Sequence, residues 1–149
     1  MKIVLGIDDS VHSEAALHFV RTMAWPKKTS VIVVSSVPLP AAMLTAMVPV
    51  TGIEVGVLMR ELTGIHTQWA ARGEKTLREA GLAADARVIQ GDPREVLTEI
   101  AKEEHADLLV VGSHGRSSLP ELRLGSVTSH VVAHAPCSVL VVKPGGSKA

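Results

Sequence analysis

The chain has 149 residues, a typical length for a single domain, and 46% of them are hydrophobic, which is enough for a sizeable core. With 20% charged residues and a mean hydropathy of +0.28, the composition excludes a mostly disordered protein. Positive and negative side chains balance at 15 each, and there are only two Trp, one Phe and no Tyr. The composition therefore disfavours nucleic-acid binding, which uses basic surfaces and stacking aromatic side chains.

Strand-like and helix-like segments alternate along the chain, which is typical of a parallel sheet with crossover helices. Most of the strand-like segments are nearly continuous runs of Val, Ile and Leu, as expected of strands that are covered on both faces. The five predicted strands are Lys2–Ile7, Val31–Val37, Arg87–Gln90, Leu108–Val111 and Ser138–Val142. The sequence therefore predicts a sheet between two layers of helices.

Helix signals fill the segments between these strands. The first helix is predicted to begin after Ser10, whose hydroxyl can cap it, and to end near Pro26. Another begins at Asp92 and Pro93, which combine an N-cap carboxylate with proline at the first helical position. A long helix over residues 53–80 is predicted from an apolar stripe. The stripe consists of Leu58, Leu62, Ile65, Trp69 and Leu77.

The overall organisation is predicted to be one domain over residues 1–143, followed by a flexible tail over 144–149 that contains Pro, Gly and Ser. The proline-rich segment Val37–Gly52 is predicted to be a long loop. Its apolar part has 14 residues and three prolines, whereas a membrane-spanning helix needs about 20 residues. The first seven residues are mostly apolar but two acidic residues follow at once, unlike a signal peptide.

The cysteine content also bears on the cellular compartment. Cys137 is the only cysteine, which excludes an intramolecular disulfide bond and a structural zinc site made of several thiolates. Together with the absence of an apolar spanning segment, this predicts a cytoplasmic protein without a membrane partner.

The chemically informative stretch is a pair of glycines after the fourth predicted strand. Gly112 and Gly115 follow that strand, and Gly125-Ser126 opens the next helix. Glycines at this place let a backbone approach a ligand closely, and a helix N-terminus offers N–H groups and a partial positive charge. The pattern predicts a phosphate-binding loop, and its spacing differs from that of a Walker A or dinucleotide-binding motif.

These four residues have the spacing G-x2-G-x9-G-[ST], and here the sequence resembles the universal stress proteins, specifically the subset that binds ATP. The resemblance covers nearly the whole chain. It includes the opening strand with Asp8-Asp9-Ser10, the turn Gly91-Asp92-Pro93 and the closing segment 134–142. Asp9 stands where the family usually has Gly, which adds a negative charge near the expected ribose or phosphate.

The resemblance implies a three-layer α/β/α, Rossmann-like fold with strand order 3-2-1-4-5, and a cleft between strands one and four. It implies ATP with Mg²⁺ as ligands, adenine beside Val34–Ser36, and Asp8 near the ribose or a metal-bound phosphate. The implied binding residues are Asp8, Asp9, Ser10, Ser36, Gly112, His114, Gly115, Arg116, Gly125, Ser126 and Val127, with Asp8 also as the metal ligand.

Several of these residues also have a plain structural interpretation. The glycines after the strand are compatible with simple turns, and Asp8 is compatible with capping the first helix. His130, His134 and Cys137 have a spacing that is compatible with a metal site, but the spacing of the two imidazoles is also common on exposed helix faces.

Three functions remain open at this point. The first is an ATP-binding regulatory module of the stress response, which the intact glycine pattern favours. The second is a weak ATPase or phosphatase that uses the same cleft. The third is a nucleotide-free, dimeric interaction protein. For all three, the resemblance implies a homodimer that pairs the apolar edge strand Ser138–Val142 of two subunits.

Overall fold

A computed structural model describes residues 1–39, 52–116 and 123–145. The chain alternates strands and helices in the described segments. The strands are β1 (Lys2–Gly6), β2 (Ser30–Val37), β3 (Ala83–Gln90), β4 (Leu108–Gly112) and β5 (Ser138–Val142). The helices are α1 (Val11–Thr22), α2 (Gly52–Glu79), α3 (Pro93–Glu103) and α4 (Ser126–His134).

The five strands form one parallel sheet in the order β3-β2-β1-β4-β5, which confirms the predicted topology. Central strand β1 pairs Ile3 with Val31 of β2 and with Leu108 of β4. The direction in which the chain adds strands to the sheet reverses between β1 and β4. The chain therefore leaves the carboxyl ends of these two strands toward different helices. This place is where ligands bind in open α/β sheets.

Two apolar layers hold the helices on the sheet. On one face, α1 and α2 pack Leu17, Val20 and Leu77 against odd-numbered positions of β1 and β2. On the other face, α3 and α4 pack Ile100 and Val131 against the intervening positions. Because side chains alternate across a strand, each apolar strand supplies both cores, which explains the continuous Val and Ile runs.

Side-chain caps define where α1 and α3 begin. Ser10 is the N-cap of α1, and its Oγ accepts a hydrogen bond from the Ser13 N–H at 3.1 Å. Asp92 is the N-cap of α3, with Pro93 in the first turn, and its carboxylate accepts from the Arg94 N–H at 2.9 Å. Both helix starts agree with the sequence prediction.

The predicted apolar stripe of α2 is partly wrong. Leu58 and Ile65 are 41% and 44% exposed, whereas His66 and Gly73 are buried. A Cβ on Gly73 would lie 3.0 Å from Cγ1 of Val33. The buried face of the helix therefore carries His66, Ala70, Gly73 and Leu77, and at Gly73 the close approach to Val33 leaves little room for a side chain.

Other boundaries differ in smaller ways. Strand β3 begins at Ala83, four residues earlier than predicted, and pairs with β2 along its whole length. Helix α2 ends before Gly81, which has a φ of +86° as expected of a helix-terminating glycine. Of the predicted loop Val37–Gly52, Val37 ends β2 and Gly52 begins α2, whereas residues 40–51 lie outside the described residues, as does the end of the predicted tail, 146–149. Within the described part of the chain, no helix is long and apolar enough to cross a membrane.

Candidate functional site

A cleft of about 450 Å³ lies at the carboxyl ends of β1 and β4. This volume is in the range of small-molecule binding sites. All three layers of the fold contribute to its walls. Asp8 follows β1, Ser36 belongs to β2, His66 to α2, Leu97 to α3 and Val127 to α4. The cleft therefore lies at the reversal of strand order, where the sequence placed it.

The turn between β1 and α1 fixes the Asp8 carboxylate. Asp8 Oδ1 accepts a hydrogen bond from the Ser10 N–H at 2.9 Å, and the Asp8 N–H donates to Ser13 Oγ at 2.9 Å. A Cβ built on Gly115 would lie 3.4 Å from Asp8 Oδ2. One carboxylate oxygen of Asp8 thus orders the helix start, and the other faces the glycine loop across the cleft.

The two glycines after β4 have different structural roles. A Cβ on Gly112 would lie 2.6 Å from the backbone carbonyl carbon of His12, so glycine is required for β4 to approach α1. Among the described residues, a Cβ on Gly115 would meet only Asp8 Oδ2 within 4 Å, at an ordinary contact distance. Of the described glycines, only Gly81 and Gly91 have a positive φ. Neither the described neighbours of Gly115 nor its backbone conformation therefore requires a glycine at this position.

Helix α4 begins at the cleft without a side-chain cap. Its N-cap is Gly125, whose N–H donates to the Ser113 carbonyl at 2.8 Å and which makes no side-chain cap hydrogen bond. The next three residues, Ser126, Val127 and Thr128, line the cleft. In contrast to α1 and α3, which are capped by the side chains of their N-cap residues, α4 begins at a glycine, and its N-terminus offers backbone N–H groups and a partial positive charge at the cleft.

A buried serine links α1 to the loop after β4. Ser113 is 2% exposed, and its Oγ lies 2.9 Å from Nδ1 of His12 and 3.2 Å from Nδ1 of His114. The two imidazole rings are 4.9 Å apart between centroids. Of the two, His114 lines the cleft. Ser113 therefore orients a histidine that a ligand would meet.

The wall formed by α2 contains a buried histidine that sequence analysis did not nominate. His66 is 5% exposed, and its Nδ1 lies 2.8 Å from Oγ of the fully buried Ser35. Its ring packs against Trp69 with 4.5 Å between centroids. Burial lowers the pKa of His66, as does the nearby Arg116 guanidinium, against an opposing effect of Asp8 and Asp9. A neutral imidazole is therefore favoured at this wall.

Arg116 connects three parts of the site. Its Nε lies 2.7 Å from Oδ1 of Asp9 in an ion pair, and its guanidinium carbon lies 5.0 Å from the centroid of the Trp69 ring. Arg116 also lines the cleft beside Gly115. This side chain thus joins the β1–α1 turn, the loop after β4 and helix α2.

Most of the residues nominated from the sequence converge on the cleft. Those that line it are Asp8, Ser36, Gly112, His114, Gly115, Arg116, Ser126 and Val127. The remaining three have neighbouring positions: Asp9 pairs with Arg116, Ser10 caps α1 and Gly125 caps α4. The cleft-lining residues that were not nominated from the sequence include Ser13, His66, Pro93, Leu97 and Thr128. For His66 the available signal was a polar residue inside an apolar helical pattern.

Among the described residues, no group of three or more His, Cys, Asp or Glu is arranged to hold a metal ion. The imidazoles of His130 and His134 are stacked, with 4.2 Å between centroids and 20° between planes. His134 Nδ1 lies 2.9 Å from the His130 carbonyl oxygen, at hydrogen-bond distance. Burial raises the pKa of the Cys137 thiol, which disfavours the thiolate that a metal requires. These three residues therefore do not form the site that their spacing allowed.

We expect His66 to make folding stability pH-dependent. Because its pKa is lowered from the ordinary value of 6.5, the unfolded chain binds its proton more readily, and stability falls as pH decreases below 6.5. The loss in free energy of unfolding between about pH 7.5 and about pH 5.5 will be larger in the wild type than in His66→Asn. Urea unfolding at each pH measures it. The matched control is His18→Asn at an exposed position, and we expect it to lose as much free energy of unfolding as the wild type. Equal losses in all three proteins would show that His66 does not cause the pH dependence.

Comparisons with known proteins address the family and the fold. A family model described as the universal stress protein family matches residues 1–143. Universal stress protein MJ0577 of Methanocaldococcus jannaschii is 39% identical over 70 residues, covering 47% of this chain and 43% of that protein. Universal stress protein Sll1388 of Synechocystis sp. is 38% identical over 76 residues, covering 51% and 49%. The matched segments thus span about half the length of these relatives.

Solved structures extend the likeness to the whole fold. The structure of MJ0577 superposes with a TM-score of 0.86 at 29% identity, covering 98% of this chain and 97% of that one. An Arabidopsis thaliana family protein with AMP bound has a TM-score of 0.70 at 15% identity, covering 99% and 94%. The Archaeoglobus fulgidus protein in complex with dAMP has a TM-score of 0.67 at 20% identity, covering 96% and 98%. At the two lower identities the likeness concerns the fold.

Proposed function

Because the chain belongs to the universal stress protein family, we propose that its cleft binds adenine nucleotides, specifically ATP with Mg²⁺, and that the protein is a regulatory module of the stress response. Nucleotide occupancy would change its shape or its partners. We place it in the cytoplasm. Family membership and the geometry of the cleft both support this function.

The observation that carries the proposal is the N-terminus of α4 at the cleft. Its first turn has no side-chain cap, and Ser126, Val127 and Thr128 face the same space as Gly115. A helix N-terminus favours an anion through its N–H groups and its dipole. Since Gly115 has no Cβ, and neither its φ nor the described residues around it require a glycine there, the space beside it suits phosphate oxygens. We therefore assign the phosphates to this end of the cleft.

The adenine and ribose are assigned to the opposite end, beside β2. Val34 and Ser36 line that part of the cleft, and Pro38 follows them. The Ser36 hydroxyl donates to the Gly91 carbonyl at 2.7 Å, so it positions the end of β2. Val34 and Leu97 supply apolar surface for a flat purine ring. The cleft thus offers an apolar end and a polar end, as a nucleotide requires.

Mg²⁺ fits this arrangement as a phosphate-bound ion with one protein carboxylate. Magnesium sites at phosphates use one or two carboxylates, the phosphate oxygens and water. Asp8 is the carboxylate that lines the cleft, and its Oδ2 faces Gly115. When bound, the ion would neutralise phosphate charge. Asp8 holds its place through the hydrogen bond from the Ser10 N–H.

The regulatory role is supported by the groups at the cleft. Among the described residues that line it, there is no lysine of the kind that P-loop enzymes use to cradle phosphates. The buried Ser113 orients His114 there. His66 is buried in the wall of the cleft, and this burial lowers its pKa. These features favour binding over rapid phosphoryl transfer. In the related structures, the ligands are AMP and dAMP, which share the adenine ring with ATP.

We also propose a homodimer formed by β5. This strand lies at the edge of the sheet, and Val139, Leu140 and Val141 are only partly buried. An apolar edge strand is a template for pairing with another strand. Two copies related by a twofold axis would pair β5 antiparallel to itself and form a continuous sheet.

The test of the proposed function is a thermal-shift titration with ATP and Mg²⁺. We expect micromolar binding, and at a concentration 100 times the Kd the ligand will stabilise the fold by about 2.7 kcal/mol. Isothermal titration calorimetry gives the affinity directly, and GTP at the same concentration is the control for base recognition. Flat titrations up to millimolar ATP in both methods would reject nucleotide binding and favour the nucleotide-free dimer.

A further inference from the structure

The ion pair between Asp9 and Arg116 lies at the mouth of the proposed phosphate site. Arg116 lines the cleft directly after Gly115, whereas Asp9 borders it from the β1–α1 turn. Arg116 Nε and Asp9 Oδ1 are 2.7 Å apart. A phosphate beside Gly115 would therefore lie next to a guanidinium that already has an anionic partner.

The second contact of Arg116 is with an aromatic ring. Its guanidinium carbon lies 5.0 Å from the centroid of Trp69, within the range of a cation–π interaction. Trp69 is held in turn by the buried His66 ring, 4.5 Å away. The same guanidinium makes this contact and the ion pair with Asp9 at once, so the ring contact is compatible with a bound anion. The ring therefore favours a position of Arg116 at the cleft while its N–H groups bind an anion.

The carboxylate can be exchanged because the pair is accessible to water. The side chains of Arg116 and Asp9 are 53% and 46% exposed, and ion pairs at such exposure are weak. A phosphate group offers more charge than a carboxylate and the same two-point geometry toward a guanidinium. A phosphate of the ligand would thus compete successfully for Arg116, but it would leave Asp9 without its partner.

The local charge then depends on Asp9. The charged side chains described here at this end of the cleft are Asp8, Asp9 and Arg116, with a sum of −1. Without the Asp9 charge the sum is zero. Each added phosphate brings further negative charge close to this net negative charge. The resulting repulsion weakens binding most for ligands with several phosphates.

Resting on the proposed function, we propose that Asp9 competes with ligand phosphates for Arg116 and thereby sets the phosphate preference of the cleft. The site prefers adenine nucleotides with few phosphate charges when Mg²⁺ is absent. Asp9 is a specificity-determining residue that acts through Arg116, and it does not itself contact the base.

The experiment compares three ligands on the full chain by calorimetry in EDTA: adenosine, AMP and ATP. The variant is Asp9→Asn, which removes the charge and keeps the side-chain size. The matched control is Glu79→Gln, which changes the net charge equally. Glu79 is an exposed residue thirteen positions beyond His66 on α2, about 20 Å away along the helix.

We expect Asp9→Asn to strengthen ATP binding about fivefold or more, AMP binding less, and adenosine binding by less than about twofold. Glu79→Gln will leave all three affinities unchanged. Arg116→Gln will weaken ATP binding more strongly in the Asp9→Asn background than in the wild type, because only there is the guanidinium fully available.

The outcomes separate this inference from the proposed function. If the wild type binds adenine nucleotides but Asp9→Asn changes adenosine, AMP and ATP affinities equally or not at all, the role of Asp9 is rejected and nucleotide binding stands. If neither the wild type nor any variant binds a nucleotide, with or without Mg²⁺, both are rejected. ATP binding that appears in EDTA only in Asp9→Asn would support the role of Asp9, whereas the proposed function is judged by ATP binding of the wild type with Mg²⁺.

Discussion

Gly115→Val will abolish ATP binding while the protein stays folded. The two γ-methyl groups would occupy the space between the loop and Asp8 that we assign to phosphates. Packing does not oppose the substitution, because a Cβ at this position makes only an ordinary contact with Asp8 Oδ2. We expect at least a hundredfold loss of affinity and a change in the free energy of unfolding below about 1 kcal/mol. Calorimetry and urea unfolding of the same preparation measure the two quantities.

Two alanine variants provide the controls for this prediction. Gly115→Ala will keep or slightly raise stability, since it reduces the freedom of the unfolded chain at a position without positive φ. Gly112→Ala will destabilise by about 1–3 kcal/mol, because its Cβ overlaps the His12 backbone. Unchanged ATP affinity in a folded Gly115→Val variant would show that the phosphates lie elsewhere.

Val141→Pro will convert the proposed β5-paired dimer into monomers at micromolar concentration. The Val142 carbonyl accepts from the Ser113 N–H at 2.9 Å, so Val142 directs its backbone polar groups toward β4. Val141, one residue earlier, directs its own away from the sheet. Proline there removes an N–H from the proposed interface while the pairing with β4 is kept. Light scattering and analytical ultracentrifugation report the mass.

The control for this variant is Val141→Ala. It also shortens the side chain but keeps the N–H group, so we expect it to remain dimeric. If a folded Val141→Pro variant is still a dimer at the same concentration, β5 is not the interface. A wild type that is monomeric at micromolar concentration would likewise reject the proposed pairing.

The parts of the fold that depend on local chemistry were predictable from the sequence. Asp92 and Pro93 define the start of α3 through a side-chain cap and a fixed φ, and the structure begins the helix at that place. Ser10 does the same for α1. The strand order followed from the family resemblance and is confirmed. These features are encoded within a few residues or in contiguous motifs.

Features that depend on distant contacts were not predictable in the same way. Ala83, Ala84 and Ala86 have low strand propensity, yet they extend β3 because β2 offers backbone pairing along its whole length. The buried face of α2 contains Gly73 because close packing on Val33 requires a residue without a side chain. An apolar stripe cannot reveal this, since glycine carries no hydrophobic signal.

The candidate site shows the same division. The glycine pattern and Asp8 stand at strand ends, so the strand order implied by the family resemblance predicted that they meet. The contacts among Asp9, Trp69 and Arg116 join three separate elements, and no local pattern connects them. His66 entered the site because burial beside Ser35 offered its ring a polar partner, which depends on the register of α2 on the sheet.

Ser113 lies between His12 and His114, and this position restricts which nitrogen of each ring can carry a proton. A serine hydroxyl has one proton, so it can donate to Nδ1 of either His12 or His114 but not to both. The ring that does not receive this proton must itself donate from Nδ1 to keep its hydrogen bond. If that ring is neutral, its Nε2 is an acceptor. The tautomers of a residue on α1 and a residue in the loop after β4 are therefore not independent, although 101 sequence positions separate His12 from Ser113.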